Sequence, residues 1–289
     1  MARKQITKPV KKKRTRVEIE HLKEQLYELL YLMHPMTVRQ TFYQMVGIGA
    51  IEKTENEYKN TVCRLLTLMR RAGKIPFGWI ADNTRWMRKP LSYTGIEAAL
   101  MRCEQTYRRD LWAEMPVYVE IWLEKDALAG VLYEETRSWD VPLMVSRGYS
   151  SLSYLYEAAE AINALDKPAY LYYLGDYDPS GIDINRVVER DLRAFAPDAE
   201  IYFERIAVTL QQIYELDLPT RPTKKTDSRS KKFKGESVEV DAIPPDYLRE
   251  LVRECITQHI DLDARDRLRE IEAAERETLR WVLEAVSER

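Results

Sequence analysis

Four short runs rich in β-branched and aromatic residues constrain this chain more than any other feature: VYVEIWL (117–123), VPLMV (141–145), AYLYYLG (169–175) and AEIYFERIAV (199–208). Helical patterns separate each run from the next, and such an alternation implies a parallel sheet covered by helices on both faces. Sheets of this kind bind ligands at the carboxyl ends of their strands. The expected class is therefore α/β, and reactive side chains are expected at those ends. A chain of 289 residues has room for one large domain or two modest ones. It holds only 10 glycines where an average chain this long carries about 20, which favours helices and argues against collagen-like or low-complexity structure.

Ahead of the sheet the pattern is helical. Leu22, Leu26, Leu29, Leu30 and Met33 fall at helical spacing over roughly 17–33, and His34-Pro35 ends that helix. Thr37 with Gln40 matches a capping box, so a second helix starts at Thr37 and runs towards Gly47. Val62, Leu65, Leu66 and Met69 mark a third, with Arg64, Arg70 and Arg71 around its other faces and Gly73 past its end. The turn-rich KIPFGWIADNTR follows. Three short helices and a small hairpin form the pattern of a winged helix, which lays its third helix in a groove of DNA, although many small helical modules bind protein instead. The expected organisation is a basic tail at 1–16, a winged helix at 17–93, a connecting helix at 94–115, a sheet domain at 116–260 and a C-terminal helix at 261–289.

The formal net charge of −2 conceals a segregation. Residues 1–16 hold eight basic and no acidic side chains, leaving 37 basic against 47 acidic, a net of −10, in the other 273. A second basic stretch, RPTKKTDSRSKKFK at 221–234, has seven Lys or Arg, Lys224 and Lys225 among them, and one Asp. Both read as arms that attract polyanions, the plain alternative for the first being a solubilising tail or an expression remnant. Cys63, Cys103 and Cys255 are too few and too scattered for a disulfide framework or zinc set, and His21, His34 and His259 are equally dispersed. No run suits a membrane span or signal peptide, so the expectation is a cytoplasmic, nucleoid-associated protein with no membrane partner.

Two acidic features lie where the sheet should bind its ligand. Glu124 follows the first strand in VEIWLEKDAL, and Asp176 and Asp178 follow the third in YYLGDYDPSGIDI. Residues two apart in extended chain point the same way, so the aspartates are expected to present their carboxylates together. Pro179 makes Asp178 a helix N-cap as well. Three clustered carboxylates repel unless a cation lies among them, and hard oxygen donors suit Mg²⁺. The plain alternative is that Asp178 only caps a helix and Glu124 pairs with Lys125 or another surface cation.

A strand followed by Glu-Lys, then about fifty residues later a strand ending in Asp-x-Asp-Pro-x-Gly, resembles the Toprim domain of topoisomerases, bacterial primases and some nucleases. LEKDAL, GDYDPSGIDI and the later VEVDAIPPDYL (238–248) are most similar to the A subunit of topoisomerase VI and its relative, the meiotic double-strand-break transesterase. The resemblance covers roughly 17–260 and implies a winged helix before the Toprim domain. It also implies a nucleophilic tyrosine in the pattern Arg-x-x-aromatic-Tyr, which Arg39, Phe42 and Tyr43 of VRQTFYQMV match. An unperturbed phenol has a pKa near 10 and needs help, and Arg39 at i−4 would share its helix face, lowering that pKa or holding the scissile phosphate.

What the resemblance implies is Mg²⁺-dependent transesterification on double-stranded DNA. Tyr43 attacks a phosphodiester, with Glu124, Asp176 and Asp178 as metal ligands, in a homodimer whose tyrosine works with its partner's metal site. Lys125 and Arg147, the latter in the loop SRGYSS after the second strand, are candidate phosphate contacts. The chain has no Gly-rich nucleotide loop, so strand passage would need a separate GHKL-type ATPase subunit. Two other readings stand beside this one: a Toprim nuclease in which metal activates water and Tyr43 is structural, and a DNA-binding module that cleaves nothing.

Overall fold

Thr15 opens the first helix by a reciprocal cap: its hydroxyl accepts from the Glu18 N–H at 3.2 Å while the Glu18 carboxylate accepts from the Thr15 N–H at 2.6 Å. Such caps satisfy amides that helix geometry leaves orphaned, each worth about 1 kcal/mol. This helix, α1 (Arg16–Met33), buries Leu22, Leu26, Leu29 and Leu30 as one stripe. In this computed structural model residues 14–81, 90–222, 233 and 236–287 are described. The first thirteen residues of the basic tail, with Lys224 and Lys225, lie outside them.

A second capping box, Thr37 with Gln40, starts α2 (Val38–Gly47) where the sequence places it. The next helical segment begins as α3 (Glu55–Glu57), passes through a π-helical stretch (Tyr58–Cys63) and continues as α4 (Arg64–Arg71), burying Val62, Leu65, Leu66 and Met69. Gly73, at φ +66°, lets the chain turn away, as only a residue without a Cβ does readily. The hairpin expected after it is not formed among the described residues. Phe77–Trp79 make a 3₁₀ turn, and the strand-like pairing runs to the chain before α2: the Met36 N–H donates to the Trp79 carbonyl at 3.1 Å and the Ala81 N–H to the Met36 carbonyl at 3.0 Å. Residues 82–85 of that segment lie outside the description.

Helix α5 (Ile96–Thr106) buries none of its side chains fully. Four parallel strands then alternate with helices: β1 (Tyr118–Leu123), α6 (Ala129–Ser138), β2 (Leu143–Val145), α7 (Leu152–Asn163), β3 (Ala169–Leu174), α8 (Pro179–Phe195) and β4 (Ile201–Ala207). The order across the sheet is β2-β1-β3-β4, with every pairing parallel. The fold is α/β, as the four apolar runs require. The short α9 (Leu210–Glu215) leads on to α10 (Pro245–Thr257), which packs on α6, and α11 (Leu262–Ser287), which packs along α5.

The two-residue period of a strand sorts the core into two layers. Trp122, Leu171 and Tyr173 face α7 and α8, meeting Leu155, Ile162, Ile184 and Val188. Val119, Ile121, Leu123 and Leu174 face the other way, into a core continuous with the leucines of α1 and with Phe42, Leu65 and Leu66. The helical region and the sheet therefore share buried surface, and α2 lies against the 3₁₀ turn Val240–Ala242 beyond the strand ends. That contact carries the N-terminal helices to the site.

Candidate active site at the carboxyl ends of the strands

Adjacent strands bring Glu124 and the Asp-x-Asp turn together, because Leu123 and Leu174 are in register and the next residue on each chain leaves the sheet at the same edge. The Glu124 carboxylate (Oε2) accepts a hydrogen bond from the Asp176 N–H at 3.1 Å. Two glycines of GDYDPSG are required by that closeness. A Cβ on Gly175 would stand 2.5 Å from Glu124 Oε2 and 2.7 Å from the Tyr173 ring, and one on Gly181 would stand 2.1 Å from the Asp176 carbonyl oxygen. All three distances are inside any tolerable contact, the obstacle being side-chain atoms at Gly175 and backbone at Gly181.

Asp178 caps α8, its Oδ1 accepting from the Gly181 N–H at 2.8 Å, while its Oδ2 faces Arg221 at 3.6 Å. Asp176 is turned inwards. Its Oδ1 accepts from the Val240 N–H at 2.9 Å and lies 3.0 Å from Lys125 Nζ. Burial pushes the Asp176 carboxyl up, against the pull of Lys125 and the Val240 amide. Glu124 is pushed up to about 7, first by burial and then by Asp176, with Asp178 adding to it. Among the described residues Glu124 makes no ion pair of its own.

The sequence reading missed the rest of the cluster. Antiparallel bridges from Tyr177 to Val238 and from Arg221 to Ser237 lay the segment 237–241 across the strand ends, adding two buried carboxylates, Glu239 and Asp241. Lys125 Nζ sits 2.7 Å from Asp241, 3.0 Å from Asp176 and 3.3 Å from Glu239. Burial opposes its charge, yet those three carboxylates together hold its pKa above the usual lysine value. Lys125, expected as a phosphate contact, is the counter-ion of a buried acidic cluster. Arg205 was missed as well. From β4 its guanidinium donates to the carbonyls of Gly175 at 2.8 Å, Asp176 at 2.5 Å and Val208 at 3.1 Å, clamping the backbone of the Asp-x-Asp turn. The visible signals were a charged pair, Glu204-Arg205, inside a β-rich run and the acid-hydrophobe alternation of VEVDA.

Helix α2 closes this cluster from above. The Thr37 hydroxyl reaches Asp241 at 3.2 Å, and Arg39 lies 3.7 Å from Glu239. The Arg39 guanidinium lies over the Tyr58 ring at 4.1 Å and also faces Glu55 at 3.8 Å, while its charge still pulls the Tyr43 phenol downward, as the i−4 spacing suggested. Tyr43 is buried, and its phenol is pushed above the ordinary value by burial and then by Glu239, only partly countered by Arg39, Lys125 and Arg221. The cation over its ring is Lys53, 5.4 Å from the centroid.

The remaining candidates are dispersed. Arg147 takes a left-handed conformation (φ +54°) in the loop after β2 and pairs with Asp126 at 3.0 Å. Arg64 and Arg71 are exposed on α4, and Arg70 stacks on Phe77 at 4.5 Å. No helix among the described residues is long and apolar enough to cross a membrane. Nor do three His, Cys, Asp or Glu groups among them converge closely enough to grip a metal ion. In donor chemistry, however, Glu124, Asp176 and Asp178 fit Mg²⁺. They are hard oxygen ligands, and the repulsion that raises Glu124 is what a cation would relieve. The chain matches no protein-family model and no curated protein.

Proposed function

We propose that this chain is a DNA-cleaving transesterase of the topoisomerase VI A type, built from a winged helix and a Toprim domain and dependent on Mg²⁺. One observation carries the reading. Tyr43, Glu124 and the pair Asp176 and Asp178, three motifs spread over more than a hundred residues, are drawn to one charged cluster at the carboxyl ends of a parallel sheet. In the reaction Tyr43 Oη attacks a backbone phosphorus, its proton leaves, and a phosphotyrosyl ester to the 5′ end forms as the 3′ oxygen departs and is protonated to a hydroxyl. The reverse attack reseals the strand. Bound Mg²⁺, held by Glu124, Asp176 and Asp178, would supply charge stabilisation at the phosphate. The partners in this reading are double-stranded DNA, a second copy of the chain and a separate GHKL-type ATPase.

A second reading has a specific observation behind it. Tyr43 is buried with its phenol pushed upward, which suits a structural tyrosine and a metal-dependent nuclease using water. Supercoiled DNA incubated with the protein and Mg²⁺, then denatured with and without protease, separates them. DNA-linked protein that disappears in Tyr43→Phe supports transesterification. Free 5′-phosphate ends that persist in Tyr43→Phe and vanish in Glu124→Ala establish the nuclease, and unaltered DNA in every case leaves a binding module. Mixing Tyr43→Phe with Glu124→Ala protomers separates two arrangements: cleavage returns where one protomer's tyrosine serves the other's carboxylates, and stays absent where each tyrosine works with the carboxylates of its own chain.

A further inference from the structure

Arg221 opens the basic stretch that the sequence reads as an arm for polyanions, yet its own position is fixed. Its backbone exchanges two hydrogen bonds with Ser237, N–H to carbonyl at 2.9 Å and carbonyl from N–H at 2.8 Å. Its guanidinium spans the cluster. One nitrogen (Nη1) donates to Glu239 Oε1 at 2.6 Å, and the other (Nη2) stands 3.6 Å from Asp178 Oδ2, too far for a good hydrogen bond. The two residues before it accept from Lys53, whose Nζ donates to the Pro219 carbonyl at 2.6 Å and the Thr220 carbonyl at 2.5 Å, and Lys53 in turn lies over the Tyr43 ring. The segment 219–221 thus ties a cation over the tyrosine to a guanidinium beside a metal-ligand aspartate. Arg39, the arginine expected to serve the phosphate, is engaged by Tyr58, Glu55 and Glu239.

We infer that Arg221 is the residue that binds the scissile phosphate, bridging Tyr43 and the carboxylates. This rests on the transesterase reading for its catalytic meaning and for DNA as the ligand, while the ligand chemistry, a phosphate oxyanion, follows from the fork itself. A planar guanidinium holding Glu239 with one nitrogen has the second pre-oriented to donate to a phosphate oxygen, a role the point charge of a lysine does not reproduce. About a third of the Arg221 side chain is exposed, so the guanidinium is not sealed within the cluster.

The test uses the full chain with Arg221→Gln, which retains a donor for Glu239, and Arg221→Lys, which retains the charge. Two readouts are taken: the rate of covalent adduct formation at saturating DNA with Mg²⁺, and the salt dependence of duplex binding in EDTA. Adduct formation is expected to fall about 10²–10³-fold in Arg221→Gln and to be only weakly rescued in Arg221→Lys. The slope of log affinity against log salt is expected to fall by about one in Arg221→Gln and to return in Arg221→Lys. Adduct formation at the wild-type rate in Arg221→Gln overturns the assignment while leaving the transesterase standing. If the wild-type protein forms no adduct, the transesterase reading fails and the EDTA slope alone decides: a drop of about one upholds the phosphate contact, and an unchanged slope overturns it. Melting temperatures of both variants show whether either change has disturbed the fold, and Arg221→Lys carries the binding comparison if Arg221→Gln does not fold.

Discussion

Two glutamates four residues apart, Glu120 within β1 and Glu124 just past its end, are both pushed up to about 7, with burial the first cause in each. Their surroundings differ. Glu120 sits in an aromatic cage, accepting from the Tyr118 hydroxyl at 2.9 Å and the Trp122 indole N–H at 2.7 Å, and these neutral donors moderate its shift. Glu124 has one backbone amide and, beyond burial, the repulsion of Asp176 and Asp178. The same displacement thus arises from a closed site in one case and an electrostatically open one in the other. Only the open one should respond to a cation.

The largest break in that comparison is chemical. Glu124→Gln should reduce Mg²⁺-dependent DNA cleavage by about 10³-fold, whereas Glu120→Gln should leave it within about twofold, as gel assays of nicked and linear product would report. Next comes the cluster's own counter-ion. Lys125→Met strips Asp176, Glu239 and Asp241 of their shared cation and should cost about 3–5 kcal/mol in urea unfolding near pH 7.

Smaller effects separate the two glutamates directly. A carboxyl whose folded pKa is raised binds more protons folded than unfolded, so its contribution to stability declines as pH rises from about 4.5 to about 7 and then levels off. Glu120→Gln should remove a decline of up to about 3 kcal/mol between pH 5 and pH 8. Glu124→Gln should do the same without metal. Mg²⁺ at a hundredfold excess over its dissociation constant should stabilise the wild type and Glu120→Gln at pH 8 by about 2.7 kcal/mol and leave Glu124→Gln unmoved. An equal response from Glu124→Gln would sink the assignment of that carboxylate to the metal. Smallest, Tyr118→Phe removes one donor from the caged carboxylate and should cost about 1–2 kcal/mol, with no effect on the Mg²⁺ response.

Legibility in the sequence followed the range of the interactions. The four strands lie within two residues of the β-rich runs, because a strand buried on both faces must be a short apolar run. Helix α2 starts after Thr37, where the capping pair with Gln40 announces it, and α1 follows the leucine spacing from 22 to 30, its Thr15 cap lying in what the sequence reads as tail. Asp178 caps α8 as its following proline indicates. The segment after α4 did not form the expected hairpin within the described residues, since its pairing partner is Met36, more than forty residues back. Of the cluster, Glu124, Asp176 and Asp178 stood out because strand ends are visible in a sequence. Glu239 and Asp241 did not, and neither did the inward turn of Lys125, which beside a glutamate in sequence looks like half of a surface pair.

What the amino-acid sequence determined by itself is therefore local: the Thr37 and Asp178 helix caps, the strand runs, and the residues that leave the sheet at its carboxyl edge. Periodicity and capping act over a few residues, so they are written in consecutive letters. Only the tertiary structure decided which charges meet. Lys125 finds Asp241 across 116 positions of chain, Arg39 meets Glu239 from another part of the chain, and Arg221 is held between Glu239 and Asp178. Partners so far apart are chosen by how the sheet, α2 and the segment 237–241 pack. Burial then makes each choice binding, because a charge removed from water must find its counter-ion among whatever the fold has placed within reach.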